Sequence, residues 1–345
     1  MSYSYSHKGF FYLTIFISLA LTLVYCLTVY LLWPTIGEYR GLKDYVMKKE
    51  RAARMIGDTP KIIFAGGSAT LLGIRAKDIE TAFGIPSVNL ALHAGLDLDY
   101  VLYTVKKVAR SGDVVILPLE YEHFLYDGAT NSFKASFVLS CDREYFFHAL
   151  RPGQKLEYLF HIIGFNKVFK TVKRFHSVQL IPWALGDLNE NGDVTSNGGE
   201  RRLEEISPAP IQSGEFKETE GLLLIKEFSR WAKEKGVIVY VSYANRVYLK
   251  DYEREEYVRY FENLKRYFVR NDIAVLGTPY DFFYPVDLFY GTQYHLSQQG
   301  ITLRTEKLIH MLTDMNPAFF KVLPGRNPGD AVTGGGRIMR RRFRD

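Results

Sequence analysis

The sequence predicts an α/β domain, a three-layer sandwich with a mostly parallel sheet, preceded by one transmembrane helix. Three observations predict this. Residues 10–33 form an apolar run without a charged side chain, residues 61–120 alternate short apolar strands with amphipathic helices, and the alternation resumes at residue 222. Such alternation is typical of parallel strands joined by helices that cover the sheet.

The composition is that of a globular protein with a large core. Of 345 residues, 47% are hydrophobic, and 24 Tyr and 24 Phe add apolar volume. The net charge of +6 comes from basic clusters at residues 38–54 and 326–345, so the rest of the chain is nearly neutral. A nearly neutral body argues against nucleic-acid binding. Cys26 lies in the apolar run and Cys141 is the only other cysteine, which excludes a disulfide framework and a cysteine-based metal site.

The apolar run at 10–33 is long enough to cross a membrane, since a helix of about 20 residues spans the hydrocarbon core. Aromatic residues lie near both of its ends, as in an interfacial belt. A cleaved signal peptide is the alternative, but LLWPTIGEYR, at residues 31–40, is a poor cleavage site. We therefore interpret the run as an uncleaved anchor, with an N-terminal tail at 1–9 and a charged juxtamembrane connector at 34–60.

The body is predicted to span residues 61–320, with an aromatic helical insertion, or cap, at 121–215. The tail at 321–345 is rich in Gly and Arg and is predicted to be disordered. The predicted strands are 61–65, 86–92, 113–120, 237–243 and 273–277. The predicted helices are 70–84, 97–112, 222–236, 255–272 and 297–315.

Candidate site residues lie near three of the predicted elements. Ser68 lies in FAGGSAT directly after the first strand, Asn89 and Gly95 lie in NLALHAGLD after the second, and His295 precedes the last helix. Ligands of open α/β sheets bind beyond the carboxyl ends of the strands. A serine, outward-pointing backbone amides and a histidine at one sheet edge suit acyl transfer or ester hydrolysis.

Each signal also has a simpler interpretation. A Gly-Gly-Ser turn can cradle a phosphate, although the Lys-Ser/Thr ending of a P-loop is missing. A lone histidine before a helix, such as His295, is more often a capping or packing residue. We interpret His93 as a core or rim residue rather than a member of the site. Ser68 and His295 become informative together, because they occur in the expected order at the expected places in the topology.

These motifs resemble the SGNH (GDSL-like) hydrolase superfamily over roughly residues 60–315. YHLSQQG, within PVDLFYGTQYHLSQQGITLRTEKL, is the most specific part, and the apolar N-terminus resembles the membrane-anchored branch that includes the teichoic-acid D-alanylation protein and the alginate-acetylation proteins. The resemblance implies that Ser68 is the nucleophile, that His295 is the general base, and that the amides of Ser68 and Gly95 form an oxyanion hole with Asn89. It implies no metal and no cofactor.

The sequence departs from this family in two places. The Gly-x-Asn-Asp block after the third strand is replaced by LPLEYEH, which contains Glu120. Where the branch has an aspartate before its histidine, this sequence has Gly291, or Thr292 by the three-residue spacing of other SGNH enzymes, and neither is an acid. A backbone carbonyl could orient His295 instead, or a carboxylate could do so: Asp287 is the first candidate, and Asp281 and Glu120 are weaker ones. Loss of the triad acid costs about 10⁴ in kcat in serine proteases without abolishing catalysis.

Two functions follow as expectations. The first is a membrane-anchored acyltransferase or esterase acting on an acyl group, with acetyl expected, of a cell-envelope or secreted polysaccharide. Its expected partners are that polymer, a membrane-bound acyl-donor protein and membrane lipid. The second is a pseudoenzyme that binds polymer or partner proteins without chemistry. The resemblance implies an extracytoplasmic domain, whereas the basic residues at 38–54 follow the positive-inside rule for a cytoplasmic one.

Overall fold

The computed structural model describes residues 7–32, 37–162, 188–195, 206–316 and 320. The described part of the chain divides into two compact units. One unit comprises Met1–Tyr45 and Thr130–Leu185, and the other comprises Val46–Ala129 and Gly186–Asp345. The second unit contains the sheet and every candidate site residue.

The first unit contains α1 (His7–Leu32), the start of α2 (Gly37–Met55), α7 (Ser132–Cys141), a π-helical turn (Tyr145–Ala149) and α8 (Pro152–Ile162). Residues His7–Thr28 of α1 are long and apolar enough to cross a membrane, and none of their most apolar window is buried. The predicted apolar helix is therefore confirmed. The amide side chain of Asn131 begins α7 by accepting from the Lys134 N–H.

The second unit is built on five parallel strands in the order β2-β1-β3-β4-β6. Every residue of β1 and β3 is buried, as expected for strands covered on both faces. The strands of this sheet are β1 (Ile62–Phe64), β2 (Ser87–Asn89), β3 (Val114–Leu119), β4 (Ile238–Tyr243) and β6 (Ala274–Val275). A separate parallel pair joins β5 (Arg246–Val247) to β7 (Phe283–Tyr284).

The helices of this unit connect the strands. They are α3 (Ser68–Leu71), α4 (Ala76–Phe83), α5 (Asp97–Val108), α6 (Tyr121–Phe124), α9 (Glu220–Glu234), α10 (Glu255–Arg270) and α11 (Gln298–Met315). Helix α5 packs against α9, and α4 packs against α11. The α/β class and the parallel sheet are confirmed, and the three-layer arrangement stays a prediction.

The sequence interpretation needs two corrections. The helix predicted at 70–84 is two helices, α3 and α4, separated at Gly73. A Cβ at Gly73 would lie 2.2 Å from the Ala69 carbonyl oxygen and 2.5 Å from Nη1 of Arg304, so the chain turns where other groups pack against its backbone. The cap is also narrower than 121–215, since residues 121–129 and those from 186 onward belong to the unit with the sheet. The predicted basic tail, residues 321–345, lies outside the described residues.

Candidate active site

The candidate site lies at the carboxyl edge of the sheet, where the strand order reverses. The chain passes from β1 to β2 on one side of β1 and then to β3 on the other side. Ser68 follows β1, and Glu120 follows β3. In parallel sheets, the crevice at such a reversal is where ligands bind.

Ser68 begins helix α3 and is half-buried, whereas its neighbours Gly67 and Ala69 are buried. The Glu120 carboxylate, 3% exposed, accepts hydrogen bonds from the Gly67 N–H at 3.0 Å and the Ala69 N–H at 2.9 Å. The prediction that the amides of this turn point outward to bind an anion is therefore wrong for these two residues. An internal carboxylate already fills their positions, and only the Ser68 amide stays a candidate oxyanion donor.

The prediction of Asn89 as an oxyanion-hole residue is also wrong. Asn89 is 1% exposed, and its Nδ2 donates to the carbonyls of Thr70, Leu71 and Ile74 at 3.1–3.3 Å. Its backbone carbonyl accepts from Nζ of Lys49 at 2.8 Å. An amide directed at three carbonyls holds the α3–α4 turn in place and has no N–H left for a substrate.

Gly95 donates its N–H to Nδ1 of His93 at 3.0 Å, so its predicted oxyanion role would require this bond to break. Because Nδ1 accepts, the neutral His93 imidazole carries its proton on Nε2. Burial lowers the pKa of His93. The His93 imidazole is half-buried and caps the short turn Ala94–Leu96, which is a structural role at the rim of the site.

His295 lies in a tight loop between β7 and α11. The Tyr290 N–H donates to the His295 carbonyl at 3.0 Å, and an antiparallel bridge pairs Phe289 with Leu296. Gly291 closes this loop with a φ of +69°, a left-handed conformation that favours glycine. Burial, and secondarily the charge of His93, lowers the pKa of His295 to about 4. The imidazole is therefore neutral near pH 7, which is the form that accepts a proton.

None of the three candidate acids orients His295. Within the described residues, no hydrogen bond or ion pair joins Asp287 to His295, and Asp287 is exposed in the turn Val286–Leu288. Asp281 caps its own turn by accepting from the N–H and hydroxyl of Thr278, at 2.8 and 2.7 Å. Glu120 is held by the amides of the Ser68 turn. The structure therefore gives no support to Asp287 as the orienter.

A buried arginine connects the Ser68 turn with the His295 loop. Arg304, fully buried on α11, donates through Nη1 to the Ala69 carbonyl at 2.9 Å and to Oδ1 of Asn245. Nδ2 of Asn245 donates to the Tyr294 carbonyl at 2.6 Å. The chain positions next to Ser68 and His295 are thus joined through two side chains. Within the described residues, no direct hydrogen bond joins the Ser68 hydroxyl to His295.

A second polar cluster lies beside the His295 loop. The Tyr294 hydroxyl donates to Oε2 of Glu122 at 2.6 Å, and Arg246 lies over the Tyr294 ring at 4.5 Å. Arg246 is 1% exposed and donates to the carbonyls of Ser207 and Pro208, whereas the Glu122 side chain is 53% exposed. Glu122 therefore presents a carboxylate to solvent beside the candidate site.

Sequence reasoning missed Asn245 and Arg304. The sheet-edge rule that selected Ser68 could also have selected Asn245, because it follows β4. No sequence signal marks Arg304, which lies in a helix 235 residues from its contact Ala69.

No protein-family model matches the sequence, and no curated protein matches it. The relationship to SGNH hydrolases therefore stays a prediction, based on the residues themselves. Within the described residues, no three His, Cys, Asp or Glu side chains are grouped so that they could hold a metal ion.

Proposed function

We propose that the protein is a serine acyltransferase or esterase of the SGNH type that acts on an acyl group, with acetyl expected, of a cell-envelope or secreted polysaccharide. The observation that carries this proposal is the hydrogen-bonded path from the Ser68 turn through Arg304 and Asn245 to the His295 loop. In this proposal, the helix pairs α4–α11 and α5–α9 cover opposite faces of the sheet, as in a three-layer SGNH sandwich.

The reaction proceeds in two half-reactions. The Ser68 hydroxyl attacks the ester carbonyl while the neutral His295 imidazole takes its proton, and the Ser68 amide hydrogen-bonds the developing oxyanion. The imidazolium then gives the proton to the departing alcohol, leaving an acyl-serine. Water or a polymer hydroxyl, deprotonated by His295, attacks this ester and regenerates the serine. Water gives an esterase, and the polymer gives a transferase.

The location proposed for this chemistry is the outer face of the cell membrane. The long apolar helix α1 supports anchoring, with lipid around it and a membrane-bound acyl-donor protein as a partner. A reporter enzyme fused to the carboxyl end, in a form active only outside the cytoplasm, tests the orientation. An inactive reporter, with an active cytoplasmic one at the same position, would support the orientation given by the positive-inside rule.

A serine-reactive fluorophosphonate tests the nucleophile directly. We expect the full-length protein in detergent to gain one covalent phosphonate, located by peptide mass at Ser68, with no labelling of Ser68→Ala and slow labelling of His295→Ala. Equal labelling of all three proteins, or modification elsewhere, would argue against Ser68 as the nucleophile.

A second candidate function is binding of the polymer without chemistry. It is favoured by the filled amide positions beside Ser68, and because none of the three predicted carboxylates, Asp287, Asp281 and Glu120, is bonded to His295. Calorimetry with acetylated and deacetylated polysaccharide distinguishes the two functions. Binding that is unchanged in Ser68→Ala, together with no fluorophosphonate labelling of wild type, would support the binding role.

A further inference from the structure

We propose that Asn245 and Arg304 are positioning residues that hold the His295 loop against the Ser68 turn. This inference rests on the proposed function, because it assigns a role within the same site. In this role Asn245 and Arg304 fix the backbone that carries His295, through one side chain that follows β4 and one from α11.

Burial of the Arg304 charge lowers the stability of the fold, so stability alone does not account for this residue. Burial lowers its pKa to about 10, and no ion pair joins it to a carboxylate in the described part of the chain. Its Nε–H is buried with no acceptor among those residues. A buried charge without an ionic partner is usually less stable than an apolar side chain of similar size. A role in fixing geometry explains a residue that stability alone does not favour.

The contacts of Arg304 all lie at the carboxyl edge of the sheet. Besides Ala69 and Asn245, it donates through Nη2 to the Tyr243 carbonyl at 3.4 Å, and its guanidinium lies 5.8 Å from the Phe282 ring centroid. It therefore joins the end of β4 to helix α3. Gly73 leaves the space for this contact, since a Cβ there would also lie 2.7 Å from Oδ1 of Asn245.

Asn245 links Arg304 to the backbone of the His295 loop. Because Oδ1 accepts from Arg304, the Asn245 side chain must direct its Nδ2 toward the Tyr294 carbonyl. That bond fixes the peptide group just before His295 from one side. The Phe289–Leu296 bridge and the Ser297 N–H, which donates to the Leu288 carbonyl at 2.7 Å, fix the loop from the other side.

The variant Asn245→Asp separates positioning from folding. A carboxylate at this position pairs with Arg304 and so improves the environment of the buried charge, but it cannot donate to the Tyr294 carbonyl and repels it. The matched control is Asn271→Asp, because Nδ2 of Asn271 also donates to a carbonyl, that of Tyr267 at 2.8 Å, at the end of α10.

Both variants are compared with wild type as full-length proteins in detergent, with p-nitrophenyl acetate as the substrate. We expect Asn245→Asp to lower kcat by about 100-fold with KM nearly unchanged, as for a small displacement of a catalytic group, and to keep the melting temperature of wild type. Asn271→Asp keeps wild-type kcat. A kcat for Asn245→Asp within about threefold of wild type would overturn the proposal.

A second measurement does not depend on turnover. In protein with ¹⁵N-labelled histidine, Asn245→Asp should shift the imidazole resonances of His295 and alter their titration, whereas Asn271→Asp should not. Unchanged His295 resonances would overturn the positioning role. Failure of the proposed function looks different: in that case Ser68→Ala keeps wild-type turnover, whatever Asn245→Asp does.

Discussion

Replacement of Glu120 with glutamine tests whether an internal carboxylate holds the Ser68 turn. The wild-type carboxylate accepts from the Gly67 and Ala69 amides at 3.0 and 2.9 Å and is 3% exposed. Hydrogen bonds to a charged group contribute about 1.5–3 kcal/mol each, and a buried donor without an acceptor costs about 1–3 kcal/mol. Glutamine keeps one acceptor and turns an N–H₂ toward the other amide, so we expect a loss of roughly 2–4 kcal/mol.

Thermal unfolding of the full-length protein, followed by circular dichroism, measures this loss. A change of this size lowers the melting temperature by roughly 5–15 °C in a unit of about 200 residues. The control is Glu215→Gln, since Glu215 is exposed in a loop of the same unit and makes no hydrogen bond or ion pair with the described residues. We expect this control to stay within about 0.5 kcal/mol of wild type. Equal melting temperatures for Glu120→Gln and wild type would refute the reasoning.

Three further predictions follow from the site and its surroundings. Because the pKa of His295 is about 4 rather than 6.5, kcat/KM for acetyl-ester hydrolysis should rise with pH through about 4 and stay level between pH 5 and 8; a midpoint near 6.5 would contradict the burial of the imidazole. Because of the same shift, the folded state binds fewer protons than the unfolded state between pH 4 and 6.5. The free energy of unfolding should therefore fall by up to about 3 kcal/mol as the pH drops through this window. Urea unfolding measures this dependence, and His295→Gln should flatten it. Gly73→Ala should cost more than about 2 kcal/mol because its Cβ meets the Ala69 carbonyl oxygen at 2.2 Å, whereas Gly153→Ala, with no atom within 4 Å, should be neutral or stabilising by up to about 1 kcal/mol; equal melting temperatures would contradict the close packing at Gly73.

The elements of the fold could be predicted because their signals are local. Apolar runs such as VVILPL predict buried strands, and the amphipathic segments between them predict helices. The break between α3 and α4 could not be predicted, because the Asn89 amide that holds this turn and the Arg304 side chain that packs against it come from other elements of the fold.

Part of the site was predictable for a similar reason. Ser68 and His295 lie beside glycine-containing turns at strand and helix ends, where sequence reasoning expects ligands. The environment of their neighbours was not predictable. Asn89 ends β2 and Glu120 follows β3, where a substrate-binding residue is expected, yet both direct their polar atoms at the backbone of the same turn. Only the three-dimensional structure distinguishes a side chain that binds a ligand from one that satisfies the backbone.

Gly291 stands where the family resemblance has an acid, and its backbone conformation gives a structural reason for glycine at this position. The family resemblance places an aspartate there, but the φ of +69° is a conformation that glycine adopts more easily than other residues. A side chain in this region costs about 1–2 kcal/mol, although aspartate tolerates it better than most residues. We therefore expect Gly291→Asp to lower the melting temperature without raising hydrolytic activity. A gain in activity would mean that the site has lost its acid and that the loop can supply one.

The most direct test of the central claim is the hydrolysis of an activated acetyl ester by the full-length protein, compared with Ser68→Ala and His295→Ala. Our account predicts turnover by wild type and a loss of at least about 100-fold in each variant, since nucleophile and base act as a unit. Equal rates for all three proteins, with unchanged melting temperatures, would contradict it.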